Sequence, residues 1–107
     1  MNECTNVCDK VYSTGISMLY VTINTDENAN KLIQVLLENR LVACVNKIKE
    51  GLFSSYKWNG KVVLDDPEIL LIMKTSDERI PELIETVKKN HPYDCPECIF
   101  VPVTNGS

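Results

Sequence analysis

The sequence predicts an α+β domain of the ferredoxin-like type, a β-α-β-β-α-β sandwich with a long projecting hairpin. Three observations carry this. Two amphipathic stripes at helical spacing lie on either side of an Asn-Gly turn. That turn separates two unusually long extended segments. Short β-branched, apolar runs open and close the ordered part of the chain. Right-handed crossovers then put both helices on one face of the sheet.

The first strand spans 17–24, and Thr25 or Asp26 can cap the helix that follows. Ala29, Leu32, Ile33, Leu36 and Leu37 form one stripe on a helix running to about Arg40. Segments 43–58 and 61–75 flank Asn59-Gly60, a pair suited to a type I′ turn because both positions need positive φ. If Trp58 faces Lys61, Gly51 falls opposite Glu68, beside Asp66-Pro67. A proline cannot donate to the ladder, so both arms are expected to bulge at that level. Arms of this length reach about 45 Å when extended. A compact domain of this size has a radius of gyration of about 13 Å, so the hairpin is expected to project beyond its own core. Ile80, Leu83, Ile84 and Val87 mark the second helix, with Ser76 or Asp77 as cap, Pro81 in its first turn and Lys88-Lys89 at its end. Pro92 stops it at His91, and 97–104 is the last strand.

All three core strands are apolar on both faces. Leu19, Val21 and Ile23 alternate with Met18 and Tyr20. Ile69, Leu71 and Met73 alternate with Leu70 and Ile72. Ile99 and Val101 alternate with Cys98 and Phe100. Two helices cover one face, so another copy of the chain is expected to cover the second.

The 107 residues suffice for one domain, read as residues 17–107 behind a polar, disordered arm over 1–16. The net charge of -4 without a basic cluster argues against nucleic acid, whose affinity comes mainly from Lys and Arg on phosphates. No apolar run approaches the roughly 20 residues of a membrane span, so no direct membrane insertion is expected. Five cysteines without a secretory leader point to reduced thiols and a cytoplasmic location.

Chemistry concentrates in His91-Pro92-Tyr93-Asp94-Cys95-Pro96-Glu97-Cys98. Imidazole, thiols and a carboxylate offer a metal-ligand set of His91, Glu97, Cys98 and Cys95. The competing reading is a proline-rich elbow in which His91 bonds backbone carbonyls, Cys98 is a small strand hydrophobe and Cys95 a loop thiol. A redox use of the C-x-x-C is a third reading, but the motif opens a strand rather than a helix. Tyr56, Trp58 and Tyr93 are candidates for a binding cleft or an interface, and Lys74 is a candidate partner for Glu97. Cys44 reads as core, and Cys4 and Cys8 as solvated thiols. One histidine and no Gly-rich phosphate loop give catalysis no support.

Several spaced motifs resemble the CutA family of divalent-ion tolerance proteins: Ala43-Cys44-Val45-Asn46, Tyr56-Lys57-Trp58-Asn59-Gly60-Lys61, Glu68 through Leu71 with Lys74-Thr75, His91-Pro92-Tyr93 with Pro96-Glu97, and Pro102-Val103. The resemblance covers about 17–104. It implies a ferredoxin-like protomer, a homotrimer whose sheets join edge to edge, and a link to tolerance of copper and other divalent cations. It implies no reaction and no required cofactor. Thr22 stands where some bacterial members have a proposed copper-ligating cysteine, and Asn90 where the family has a further histidine. Of that set Glu97 carries over, with His91 adjacent, while Cys95 and Cys98 are additions. The trimeric fold also resembles PII-type regulators, which makes a signalling or scaffold module with a small effector at subunit clefts the alternative function.

Overall fold

The computed structural model describes residues 13–106. Four strands and two helices follow in the expected order: β1 (Ile16–Ile23), α1 (Asp26–Glu38), β2 (Cys44–Trp58), β3 (Lys61–Ser76), α2 (Ile80–Asn90) and β4 (Ile99–Pro102). The sheet order is β2-β3-β1-β4, antiparallel throughout. β1 thus sits in the middle, with Ile16 opposite Ser76 at one end and Ile23 opposite Ile69 at the other.

Thr25 caps α1, its Oγ1 accepting from the Asn28 amide at 3.1 Å. At the other end the Leu41 amide donates to Leu36 O at 2.9 Å and the Arg40 amide to Leu37 O at 3.0 Å. This is a Schellman closure, and it holds Arg40 at φ 55, a conformation that usually selects glycine. α2 begins differently from the sequence expectation. A 3-10 turn over Asp77–Arg79 precedes it, and Ser76 makes no side-chain cap bond. Asp77 instead accepts from Ser17 Oγ at 2.6 Å, so the expected cap anchors the start of β1.

The hairpin turn has Asn59 at φ 51 and Gly60 at φ 76, the type I′ geometry that their sequence requires. Irregularities fall where Gly51 and the Asp-Asp-Pro run meet, but the register differs from the simple count. Leu52, not Gly51, lies opposite Glu68. The cause is an extra residue on β3 between Ser54 and Tyr56, with Asp65 left-handed at φ 54 and its amide donating to Ser55 Oγ at 3.1 Å. A second shift between Ile48 and Leu52, where Gly51 has φ 85, adds two residues on β2 and brings Ile48 opposite Leu70. The arms run 15 and 16 residues and stretch the molecule to 50 × 30 × 24 Å, with a radius of gyration of 15.9 Å. The hairpin projects, as its length requires.

The core lies between the helices and one sheet face. Leu19, Val21, Ile23, Leu71 and Met73 meet Leu32 and Leu36 of α1 and Leu83 and Val87 of α2, all fully buried. Phe100 and Cys98 of the last segment pack against this cluster. β4 is shorter than the expected 97–104, although the Val103 amide still donates to Ile16 O at 2.9 Å. The opposite face carries Met18, Tyr20, Leu70, Ile72, Ile99 and Val101 and is only partly covered, with Ile99 49% and Ile48 44% exposed. Cys44, read as core, sits on this open face, because alternation turns Val45 toward the helices instead. Thr14, Gly15 and Ile16, read as the end of an arm, are tied to the sheet through Val103 O, the Asp77 amide and Ser76. The rest of that arm, with Cys4 and Cys8, lies outside the described residues. Among the described residues, no helix is long and apolar enough to cross a membrane.

Leu71→Ala removes a fully buried side chain at the centre of the sheet, and it should lower the unfolding free energy by about 2–5 kcal/mol. The check is the shift of the urea midpoint at fixed protein concentration.

Candidate functional site

The segment between α2 and β4 is an elbow, and His91 holds it. Pro92 forces His91 out of the helical region, to φ -98 and ψ 139. Its ring thereby reaches across to β1, with Nε2 2.7 Å from Thr22 O. On the other side the Tyr93 amide donates to Nδ1 at 3.1 Å. An amide N–H can only donate, so Nδ1 is unprotonated and Nε2 carries the hydrogen. Both nitrogens of this buried ring are engaged, and the Tyr93 ring packs edge-on against it at 4.6 Å. Burial lowers the His91 pKa, partly opposed by the Thr22 bond and by Glu68.

Tyr93 extends the chain of bonds. Its hydroxyl donates to Glu68 Oε2 at 2.7 Å, which ties the elbow to β3. Burial, then the Glu68 bond, pushes the Tyr93 pKa well above the usual phenol range. One strand pair along, Tyr56 donates to Asp66 Oδ2 at 2.7 Å, and that bond raises its pKa too. Both phenols are held protonated, as hydrogen-bond donors and not as general bases.

These residues wall an open cleft of about 550 Å³ where the hairpin leaves the sheet. Tyr56, Trp58 and Tyr93 form its aromatic sides. Asp66 and Glu68 come from β3, and Asp94 and Glu97 from the elbow. No lysine, arginine or histidine is among the described residues that line it, so four carboxylates face one space without a cation. Glu68 is only 9% exposed, and its Oε1 has no hydrogen-bond partner among the described residues.

The sequence-derived ligand set is therefore divided. Cys95 and Glu97 line the cleft, with Thr22 and Asn24 nearby. His91 and Cys98 support the elbow from behind, and burial raises the Cys98 thiol pKa, leaving less thiolate. Among the described residues no group of three or more His, Cys, Asp or Glu side chains is arranged to hold a metal ion. Lys74 is not beside Glu97. It stands on the open sheet face, 3.3 Å from Asn46 Oδ1 and 3.7 Å from Cys44 Sγ. Asp66 and Glu68 were not singled out as site residues by sequence reasoning. The signal available for them was the Asp65-Asp66-Pro67-Glu68 run opposite Tyr56 in the hairpin.

Residues 17–107 match the family profile of the CutA1 divalent ion tolerance protein. The chain belongs to the CutA1 family. A divalent-cation tolerance protein CutA of Thermus thermophilus is 42% identical over 90 residues, covering 84% of this chain and 85% of that one. A chloroplastic CutA of Arabidopsis thaliana is 44% identical over 90 residues, covering 84% of this chain but 48% of its own length. The chain thus spans about half of the plant relative. A solved CutA1 structure from Thermus thermophilus superposes with a TM-score of 0.80 at 40% identity, covering 86% of this chain and 87% of that one. The α+β fold read from the sequence is therefore that of the CutA1 structures.

A neutral His91 locked between a carbonyl and an amide gives this CutA1 member a pH signature. Its folded pKa lies below the ordinary 6.5, so above pH 6.5 the folded chain keeps its full advantage. As pH falls below 6.5, the unfolded chain takes up a proton first, and stability is lost toward the folded pKa. Urea midpoints should fall between pH 7 and pH 5.5 in the wild type and flatten over that window in His91→Gln. Parallel slopes in the two proteins would remove this assignment.

Proposed function

We propose that this chain serves divalent-cation tolerance as a homotrimer that gathers cations weakly in its acidic cleft, without catalysing a reaction. The observation that carries this is the set of four carboxylates, Asp66, Glu68, Asp94 and Glu97, around one open volume with no lining cation. Family membership supports the physiological role. The donor set fits loose, hydrated binding of a divalent ion better than a closed coordination shell, because the carboxylates are not arranged as a cluster of three or more. Of the ligands expected from the sequence we retain Glu97 and Cys95, add Asp66, Glu68 and Asp94, and give His91 and Cys98 a supporting role. A copper ion would find one thiol and several oxygens there, a poorer set than paired thiolates or imidazoles. Cys44, Cys95 and Cys98, free among the described residues, fit a cytoplasmic setting.

The cleft weighs against the PII-like alternative at this position, since four carboxylates repel phosphate-bearing effectors. Trimer formation is supported by the half-covered apolar face and by the outer edge of β2, which is unpaired among the described residues.

Two measurements test the proposal. Calorimetric titration with manganese and with copper should show saturable uptake. The double variant Glu68→Gln/Glu97→Gln should weaken it by about tenfold or more, while His91→Gln leaves it unchanged. Indistinguishable isotherms for the carboxylate variant would overturn the site. Light scattering at low micromolar concentration should give the mass of three chains; a one-chain mass would overturn the trimer.

A further inference from the structure

At the opposite end of the sheet from the acidic cleft lies a second pocket, of about 270 Å³. The chain has two arginines, Arg40 and Arg79, and both line it. Arg40 follows α1 and Arg79 precedes α2, so the fold brings together two positions far apart in sequence. Between them the walls are Leu41, Val42, Thr75 and Ser76.

Neither guanidinium has a partner among the described residues. The ion pairs among the described residues all use lysines: Lys31 with Glu27, and Lys47 and Lys49 with Asp26. No hydrogen bond from either arginine side chain is formed among the described residues. Glu78 beside Arg79 and Glu38 near Arg40 form no ion pair with them, and Asp77 accepts from Ser17 Oγ. In a chain of net charge -4, two arginines that share a pocket and form no ion pair among the described residues are a local exception. Ser76 adds a hydroxyl with no cap bond.

The pocket is also preformed. Thr75 Oγ1 donates to Leu41 O at 2.7 Å, which pins the loop after α1 to the end of β3, and both residues are buried. Arg40 itself sits at φ 55, closing α1 where glycine is the ordinary choice. Placing a side chain there costs about 1–2 kcal/mol relative to glycine, and nothing in the fold of α1 uses the guanidinium. A strained backbone carrying an unpartnered charge into a pocket is a sign of a ligand contact.

We propose that Arg40 and Arg79 form a receptor for a small dianionic oxyanion, a phosphate or a small phosphomonoester, with the Ser76 hydroxyl as a further donor. Two guanidinium groups call for two negative charges, which a phosphate near neutral pH supplies and a carboxylate does not. Their planar forks match tetrahedral oxyanions bidentately. The volume lies just below the range of about 300–1,000 Å³ usual for drug-sized ligands, so a nucleotide is too large. This site is independent of the cation cleft and does not rest on the reading of that cleft.

The test is titration of the full chain with inorganic phosphate at constant ionic strength, followed by backbone amide shifts and thermal unfolding. Saturable shifts confined to residues 40–43 and 75–79, with a raised Tm, are expected, and sulfate should reproduce them. Sodium chloride and acetate at matched ionic strength should not. Arg40→Gly keeps and eases the left-handed backbone, so it should fold to the same oligomeric mass. It should nevertheless bind phosphate about tenfold or more weakly. Arg79→Gln should do the same, and Arg79→Lys should recover part of the affinity. Equal titrations in wild type and both variants, or equal responses to chloride, would overturn the proposal. So would a changed oligomeric mass in Arg40→Gly, which would mean that the guanidinium contacts another copy of the chain.

Discussion

One chain of hydrogen bonds organises the working end of this molecule. Thr22 O accepts from His91 Nε2, His91 Nδ1 accepts from the Tyr93 amide, and the Tyr93 hydroxyl donates to Glu68. It joins the central strand β1, the elbow and β3 through groups that are buried or partly buried, and leaves no fully buried side-chain polar atom unsatisfied among the described residues. Everything that faces the cleft from the elbow side, Tyr93, Asp94, Cys95 and Glu97, is placed by it. The one histidine in the sequence is therefore committed to architecture. Both of its nitrogens are engaged, whereas a metal ligand needs one of them free. Under the proposed cation reading, the donors are the carboxylates around the cleft.

The local elements were legible in the sequence because their causes are local. The stripe from Ala29 to Leu36, the Thr25 cap and the Asn59-Gly60 turn depend on residues within one or two turns of each other. The two-faced strands also announced the half-covered sheet. What was not legible depended on long-range geometry. Hairpin register could be counted from the turn, but Asp65 entering the left-handed region adds a residue to β3 and moves Glu68 from Gly51 to Leu52. Ser17 competed with the helix for Asp77 from the other end of the domain, so α2 starts on a 3-10 turn. In the site, the three aromatics were readable as cleft residues. Asp66 and Glu68 were not, because they join the elbow carboxylates only once the hairpin has bent past β1. Lys74 was misplaced for a related reason: it lies level with Met18 on β1, whereas Glu97 stands beside Thr22 at the cleft, further along the strand.

Charge is segregated along the sheet. The aromatic, acidic cleft lies where β1 ends at Ile23, and the arginine pocket where it begins at Ile16. Eight strand residues separate these levels, or roughly 25 Å of extended chain. That exceeds the Debye length of about 8 Å at physiological ionic strength, so neither end sets the charge state of the other. The segregation is also selective. Carboxylates without a lining cation disfavour phosphates in the cleft, while two guanidiniums disfavour metal cations in the pocket. A protein of modest net negative charge can present two surfaces of opposite sign this way without either neutralising the other.

The projecting hairpin and the half-covered sheet face have a common physical origin. Beyond Glu68 the arms leave their own core, and Phe53, Trp58, Val62 and Leu64 are exposed by 58–71%. Isolated two-stranded ribbons are at best marginally stable in water. Yet this one carries large apolar side chains that an isolated ribbon has no means to bury. On the sheet, Ile99, Val101 and Ile48 leave apolar area open on the face away from the helices. A partner of another kind would have to match both surfaces separately. In the proposed trimer, copies of the same chain would supply both at once, each overreaching hairpin bringing apolar residues to a neighbour with an open apolar face. Under the proposed trimer, then, the length of the hairpin is set by the distance to the next subunit and not by the needs of its own fold.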